Sequence, residues 1–321
     1  MPTPRETLPR RTFLQGAACV GAAGILSGTA CEAGGSTGAI PAEPFLYCLN
    51  TATIRGFKLP LPEQIELTAK AGYQAIEPWL SDSKQFVEGG GSLRDLHKRT
   101  TDLGLRVISA ITFSSWMVDD DAKRSASLET YKREMDLLLQ LGDRQIAAPP
   151  SGGKDMAIPL PKIAERYRAV LEVGRQMGVV PQLEVWGAVK SLSRLSEAAF
   201  VATEAGHADA CLLLDAYQLH RGNSPIEGLR LLNGAAMHAF HINDYPADPP
   251  RESLTDAHRV YPGDGVGPLG EILRTLAASG FRGALSLELF NRDYWQKEPL
   301  WVARTGLEKT RAVVLKALSG S

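Results

Sequence analysis

Short apolar runs alternate with longer amphipathic stretches along most of the chain. Eight runs, at 45–49, 75–79, 106–111, 145–148, 179–185, 210–215, 237–242 and 284–289, have the length and composition of strands. Between them, apolar positions recur at helical spacing over 61–70, 93–103, 128–141, 160–177, 192–204, 226–232 and 269–278. Each helical pattern stops just before a glycine, from Gly72 and Gly104 to Gly234 and Gly280, and glycine ends a helix because it enters the left-handed conformation without strain. Eight strands with crossover helices predict an α/β fold, a closed (β/α)8 TIM barrel. No Pro- or Ser-rich linker divides it, so residues 44–321 are expected to form one domain.

The first residues break this pattern. Arg10-Arg11-Thr12-Phe13-Leu14-Gln15 is a twin-arginine motif, and the uncharged Gly/Ala-rich stretch 16–30 follows it. Residues 1–30 therefore predict a Tat-type signal peptide and a periplasmic or other extracytoplasmic location. The stretch is too short and too glycine-rich for a stable span, and no later segment reaches the roughly 20 apolar residues a span needs. Gly28-Thr29-Ala30 suits small-residue cleavage, and Cys31 leaves lipid anchoring as the alternative. Residues 31–43, rich in Gly, Ala, Ser and Pro, are expected to be a flexible tether.

The whole chain carries a net charge of −1, and its leader holds Arg5, Arg10 and Arg11 against Glu6, so the remainder is more acidic still. Without a basic block it is a poor candidate for nucleic-acid binding. Cys48 and Cys211, on separate strand-like runs, are expected to be buried free thiols, since a domain this large needs no staple. The oligomeric state is left open, a homo-oligomer included.

Chemistry concentrates at the ends of the last four runs, in Glu184, Asp215, His241 and Glu288. In a (β/α)8 barrel these positions face one rim, where reactive groups sit. Three carboxylates and one imidazole suit manganese, magnesium, cobalt or zinc, and the absence of thiolate argues against a structural zinc site. Any one of them alone reads as a polar cap on a strand. Four on consecutive strands at the same end point to a cation, because several buried carboxylates are destabilising without one. His238, three residues before His241, points to the opposite face of its strand and is expected to be structural.

The chain resembles the xylose-isomerase-like sugar isomerases and epimerases, which are related to family 2 AP endonucleases. The resemblance runs from Asn50-Thr51-Ala52-Thr53-Ile54-Arg55-Gly56 to Ser286-Leu287-Glu288. Its most specific stretches are Asp215-Ala216-Tyr217-Gln218-Leu219-His220-Arg221-Gly222, His241-Ile242-Asn243-Asp244 and the run from Arg259 to Leu269. The resemblance implies one divalent ion held by Glu184, Asp215, His241 and Glu288. It further implies proton transfer beside a sugar carbonyl through a metal-stabilised cis-enediolate, with Glu184 and Glu288 as opposed catalytic bases.

One departure bears on substrate. Where the family usually carries a substrate-contacting histidine, three residues after Asp215, this chain has Gln218, with His220 two positions on as a candidate to contact substrate in its place. Glutamine donates a hydrogen bond but relays no proton near neutral pH, which argues against a simple ketohexose 3-epimerase. Arg259 is the stronger candidate for holding substrate oxygens, because a guanidinium forks onto paired acceptors; Arg221 reads as a surface ion pair. Glu77, Trp79, Trp116, Trp186, Phe113 and Asn50 are expected around the mouth, where rings stack on sugar C–H faces. The run Pro262-Gly263-Asp264-Gly265-Val266-Gly267 lacks the ending of a P-loop and the spacing of a dinucleotide fold. It is read as a tight loop bringing backbone near the substrate.

The leading expectation is an exported, metal-dependent isomerase or epimerase acting on an unphosphorylated sugar or cyclitol. The alternative is a lyase on the same scaffold, dehydrating a keto-cyclitol or cleaving a 3-keto-glycoside. A non-catalytic, metal-stabilised sugar-binding protein is a third class, with no need for opposed glutamates. An AP endonuclease is disfavoured, as neither a richer histidine cluster nor a basic DNA-binding face is visible.

Overall fold

A computed structural model describes residues 43–319. The expected signal peptide, most of the expected tether and Cys31 lie outside the described residues. The strands are β1 (Leu46–Asn50), β2 (Ala75–Glu77), β3 (Arg106–Val107), β4 (Gln145–Ala148), β5 (Val180–Glu184), β6 (Leu212–Asp215), β7 (Met237–Ile242) and β8 (Ala284–Leu287). All pair in parallel, in the order β3-β2-β1-β8-β7-β6-β5-β4. Outside them run α1 (Leu61–Ala71), α2 (Leu80–Glu88), α3 (Leu93–Asp102), α4 (Asp121–Gln140), α5 (Leu160–Met177), α6 (Leu195–Glu204), α7 (Ala216–Arg221), α8 (Leu269–Ala278) and α9 (Pro299–Leu318). This is the TIM barrel fold.

The inside of the barrel is filled by small and medium side chains in two patches. One holds Cys48, Ala75 and Ala284; the other, Ile111, Ala147, Leu213 and Ala239. The larger core, including Tyr131, Tyr167, Phe240 and Phe281, is a separate cluster. Both expected thiols, Cys48 and Cys211, are buried and free.

Three departures from the periodicity have local causes. The run 106–111 pairs as a strand only over its first two residues, because Ser109 takes a left-handed conformation (φ 58°) that breaks the ladder. The seam between β3 and β4 is joined instead by Ala147 N–H to Ala110 O (2.9 Å) and by the Asp143 carboxylate. Its Oδ2 accepts the N–H groups of Ser109 (2.7 Å) and Gln145 (3.1 Å). Residues 226–232 form a 3-10 turn (Ile226–Leu231) rather than an α-helix, since α7 and the left-handed Asn223 already use much of that short crossover. Three helices, α2, α7 and α9, stand outside the stretches with a helical pattern. α2 buries few residues, Leu80 and Ser83 among them, and so writes only a faint apolar stripe.

Candidate active site

The rim is built in register. Asp215 pairs with His241 and His241 with Ser286 across β6, β7 and β8, while Asn50 pairs with Glu77 across β1 and β2. Parallel pairing of strand ends brings onto one level side chains that lie far apart in sequence. Candidate ligand atoms of Asp215, His241 and Glu288 all lie within 4.8 Å of one another, and all three residues are buried. Glu184, the last residue of β5, stands outside this trio but lines the same cavity as Glu288.

The orientation of His241 is fixed from below. Its Nε2 lies 3.0 Å from Glu77 Oε2, which also accepts Ser286 Oγ (2.7 Å) and Asn50 Nδ2 (2.9 Å). With its Nε2–H donated to that carboxylate, Nδ1 faces Glu288 Oε2 (3.3 Å) and Asp215 Oδ2 (3.8 Å) and offers a lone pair there when the ring is neutral. Nδ1 is buried and without a hydrogen-bond partner. A carboxylate behind the imidazole and carboxylates in front of it form the donor set that a divalent ion takes. The residues therefore fit one such ion, with Asp215, His241 and Glu288 as its holders and Glu184 within the same cavity.

Asp215 has a double duty. Its Oδ1 caps α7 by accepting Gln218 N–H (2.9 Å), while Oδ2 accepts Asn243 Nδ2 (3.0 Å) and Arg259 Nη1 (2.7 Å). Arg259 Nη1 also reaches Glu288 Oε2 (2.7 Å), and Nη2 reaches Asp256 (3.0 Å). The guanidinium lies against the rings of Tyr217 and Phe290. Burial pushes the Glu184 carboxyl up to about 8, with the neighbouring Glu288 adding to the rise and His241 opposing it. For Glu288 burial acts the same way, but His241 and Arg259 outweigh it and hold the carboxyl low. His241 is correspondingly raised: burial disfavours its cation, and Glu288 and Glu77 more than compensate.

Above the trio opens a cavity of about 450 Å³. Trp79, Phe113, Trp186 and Phe290 give it an aromatic wall, with Trp79 to Phe113 ring centroids 4.8 Å apart and Phe113 to Trp186 6.1 Å. Gln218 and Arg259 line it as expected. So does Arg221, which is no surface ion pair but lies over the Tyr217 ring. Lys154, Asp155, Asp256 and Phe290 also line it and were not anticipated. Lys154 and Asp155 come from a loop with no strand-end signal, whereas Asn243, bonded to Asp215, was visible within the His241-to-Asp244 stretch.

Several expected substrate contacts are placed elsewhere. Trp116 is fully buried, its indole N–H donating to Pro149 O and its ring packed on Tyr167, so it belongs to the core. Glu77 and Asn50 are buried beneath the rim, one orienting His241 and the other bonded to Glu77 and Glu288. His220 stacks on Tyr245 at 3.8 Å and is not part of the cavity lining. The glycine-rich loop does not offer its backbone to the cavity either. The Asp244 carboxylate takes the N–H groups of Gly263 (3.0 Å), Gly265 (3.2 Å) and Gly267 (2.8 Å). A Cβ at Gly265 or Gly267 would collide with that carboxylate, which explains both glycines.

Comparison with known proteins agrees with this fold. A family model described as xylose isomerase-like TIM barrel matches residues 65–312. An inosose isomerase from Bacillus velezensis is 28% identical over 275 residues, 84% of this chain and 97% of its own length. A 3-dehydroshikimate dehydratase from Pseudomonas aeruginosa is 26% identical over 73% of this chain but only 37% of its own length. Among solved structures, an IolI protein with a bound zinc atom superposes with a TM-score of 0.78 at 24% identity, covering 86% of this chain and all of that one. An L-ribulose 3-epimerase superposes at 0.67 with 17% identity, covering 86% of this chain and 96% of that one.

Proposed function

Because the chain belongs to the xylose isomerase-like TIM barrel family, we propose that it is a divalent-metal-dependent isomerase or epimerase of an unphosphorylated sugar or cyclitol. The observation that carries this reading is the buried His241 Nδ1, without a partner and facing Asp215 and Glu288 while Glu77 holds the opposite nitrogen. When bound, a divalent ion supplies Lewis acidity, lowering the cost of removing a proton beside a carbonyl.

The chain's own groups supply the rest. Glu184, a buried carboxylate on the same cavity as Glu288, is placed to take and return a carbon-bound proton. Glu288, facing the same cavity, is the opposed base. Arg259 aligns substrate oxygens while keeping Asp215 and Glu288 in place. The aromatic wall stacks on C–H faces and excludes water. Relatives that act as inosose isomerases support a polyhydroxylated ring as substrate.

Dehydration on the same scaffold is the second reading, supported by the dehydratase relatives and by Gln218. The Gln218 amide is engaged, accepting Gly187 N–H at 2.8 Å and donating to Asp256 at 3.4 Å, so no proton relay runs through it. The twin-arginine leader makes export from the cytoplasm part of the proposal.

Proton NMR in D2O tests both readings, with the manganese- or magnesium-loaded protein, a panel of ketoses, keto-cyclitols and 3-keto-glucosides, and Glu184→Gln in parallel. Glutamate-dependent deuterium entry beside the carbonyl with the skeleton intact is the expected result, and loss of a hydroxyl or glycosyl group would favour the lyase. Absence of both across the panel with every metal would count against an enzyme of this type.

A further inference from the structure

A second cavity, of about 480 Å³, opens between α2, the segment after β3 and α4. It adjoins the candidate active site, since Ile111 and Phe113 line both. Phe113 belongs to the aromatic wall on one side and to this cavity on the other.

The lining of the second cavity combines an apolar surface from Leu80, Ile111, Phe113 and Leu137 with the hydroxyls of Thr112, Ser114 and Ser127 and the Glu134 carboxylate. Glu134 Oε2 accepts the hydroxyls of Thr112 (2.6 Å) and Ser114 (2.8 Å), while its Oε1 has no hydrogen-bond partner among the described residues. The Ser127 hydroxyl, also on the lining, is buried without a partner. The two lysines of the lining are turned to other acids, Lys84 to Glu88 (3.8 Å) and Lys123 to Asp120 (3.9 Å). A carboxylate without a close cation repels phosphate and other anions, but its free oxygen accepts the hydroxyls of a neutral polyol. Burial raises the Glu134 pKa, outweighing the Thr112 and Ser114 hydrogen bonds and the more distant Arg133 and Lys84. The volume suits one sugar-sized ring.

We propose that this cavity is a subsite for a second, uncharged, hydroxyl-rich ring, joined across Phe113 to the ring held above Asp215, His241 and Glu288. The preferred substrate class is then a two-ring, unphosphorylated glycoside. This inference rests on the carbohydrate reading of the main site. Glu134 and Ser127 bind hydroxyls of the distal ring, and the Phe113 ring supports the junction between the two.

Saturation-transfer NMR titrations with cellobiose and methyl β-glucoside, neither carrying the ketone needed for turnover, test the subsite on the metal-loaded protein. The expected result is a two-ring preference of about tenfold. That preference should fall to near unity in Glu134→Ala and in Ala126→Phe, which fills the cavity from an exposed helical position without touching the carboxylate. Equal or undetectable binding of the two probes, or a preference that survives in either variant, would overturn the proposal. Deuterium exchange on one-ring ketones, run alongside, separates the two claims. A two-ring preference lost in both variants but with no exchange on any ketone keeps the subsite and removes the isomerase reading.

Discussion

Glu77 and His241 form a pair whose importance neither residue announces alone. Glu77 is buried, accepts from His241, Ser286 and Asn50, and has no position in the cavity lining. Its role is to set which imidazole nitrogen faces Asp215 and Glu288. Glu77→Gln keeps the shape and an acceptor oxygen but removes the negative charge behind the imidazole, so metal affinity should fall by about 10- to 100-fold, read by titration of metal content. Asp215→Ala and His241→Ala should each lose bound metal outright in the same assay. Retention of full metal occupancy by either would remove the assigned ligand set.

Among the elements, the loops carry polar anchors that a periodicity argument passes over. Asp244 gathers three N–H groups of the glycine-rich loop and the N–H of Tyr245. Asp244→Ala strands those donors, and a loss of about 1–3 kcal/mol is expected in urea unfolding. Asp143 plays the corresponding part at the seam between β3 and β4. Burial raises its carboxyl from 3.8 to about 6, even though backbone donors pull the other way. A folded pKa above the unfolded one means that this group's contribution is fully present below the unfolded value and is lost as pH rises through about 6. The melting temperature of the native protein relative to Asp143→Asn should therefore decline between about pH 4 and 6. A difference independent of pH across that window would contradict the assignment.

For the molecule as a whole, a bound ion would join β6, β7 and the end of β8, so its removal should be felt globally. Chelation is expected to lower the melting temperature and to abolish turnover, and re-addition of manganese or magnesium to restore both. No helix among the described residues is long and apolar enough to cross a membrane. Replacing Arg10 and Arg11 by Lys should hold precursor in the cytoplasm in a fractionation experiment. Efficient export of that variant would refute the twin-arginine reading.

The sequence by itself determined the strand-and-helix alternation and the rim residues Glu184, Asp215, His241 and Glu288. Strand burial and the position of a polar residue at a strand's end are local properties, written in consecutive residues. It also made Trp79, Phe113, Trp186, Gln218 and Arg259 legible, because each lies in or near a loop after a strand. Tertiary structure decided what depends on pairing and packing between distant segments. Glu77 and Trp116 carry the same local signals as the residues that do line the cavity, yet one supports an imidazole from β7 and the other is enclosed against Tyr167. The tertiary structure alone decided that Asp244 encloses the glycine-rich loop, that Lys154 and Asp155 reach the cavity, and that Glu134 lines a second one. The physical reason is that a side chain's partner is fixed by strand register and loop path across the fold, whereas sequence pattern reports only which way that side chain leaves its own backbone.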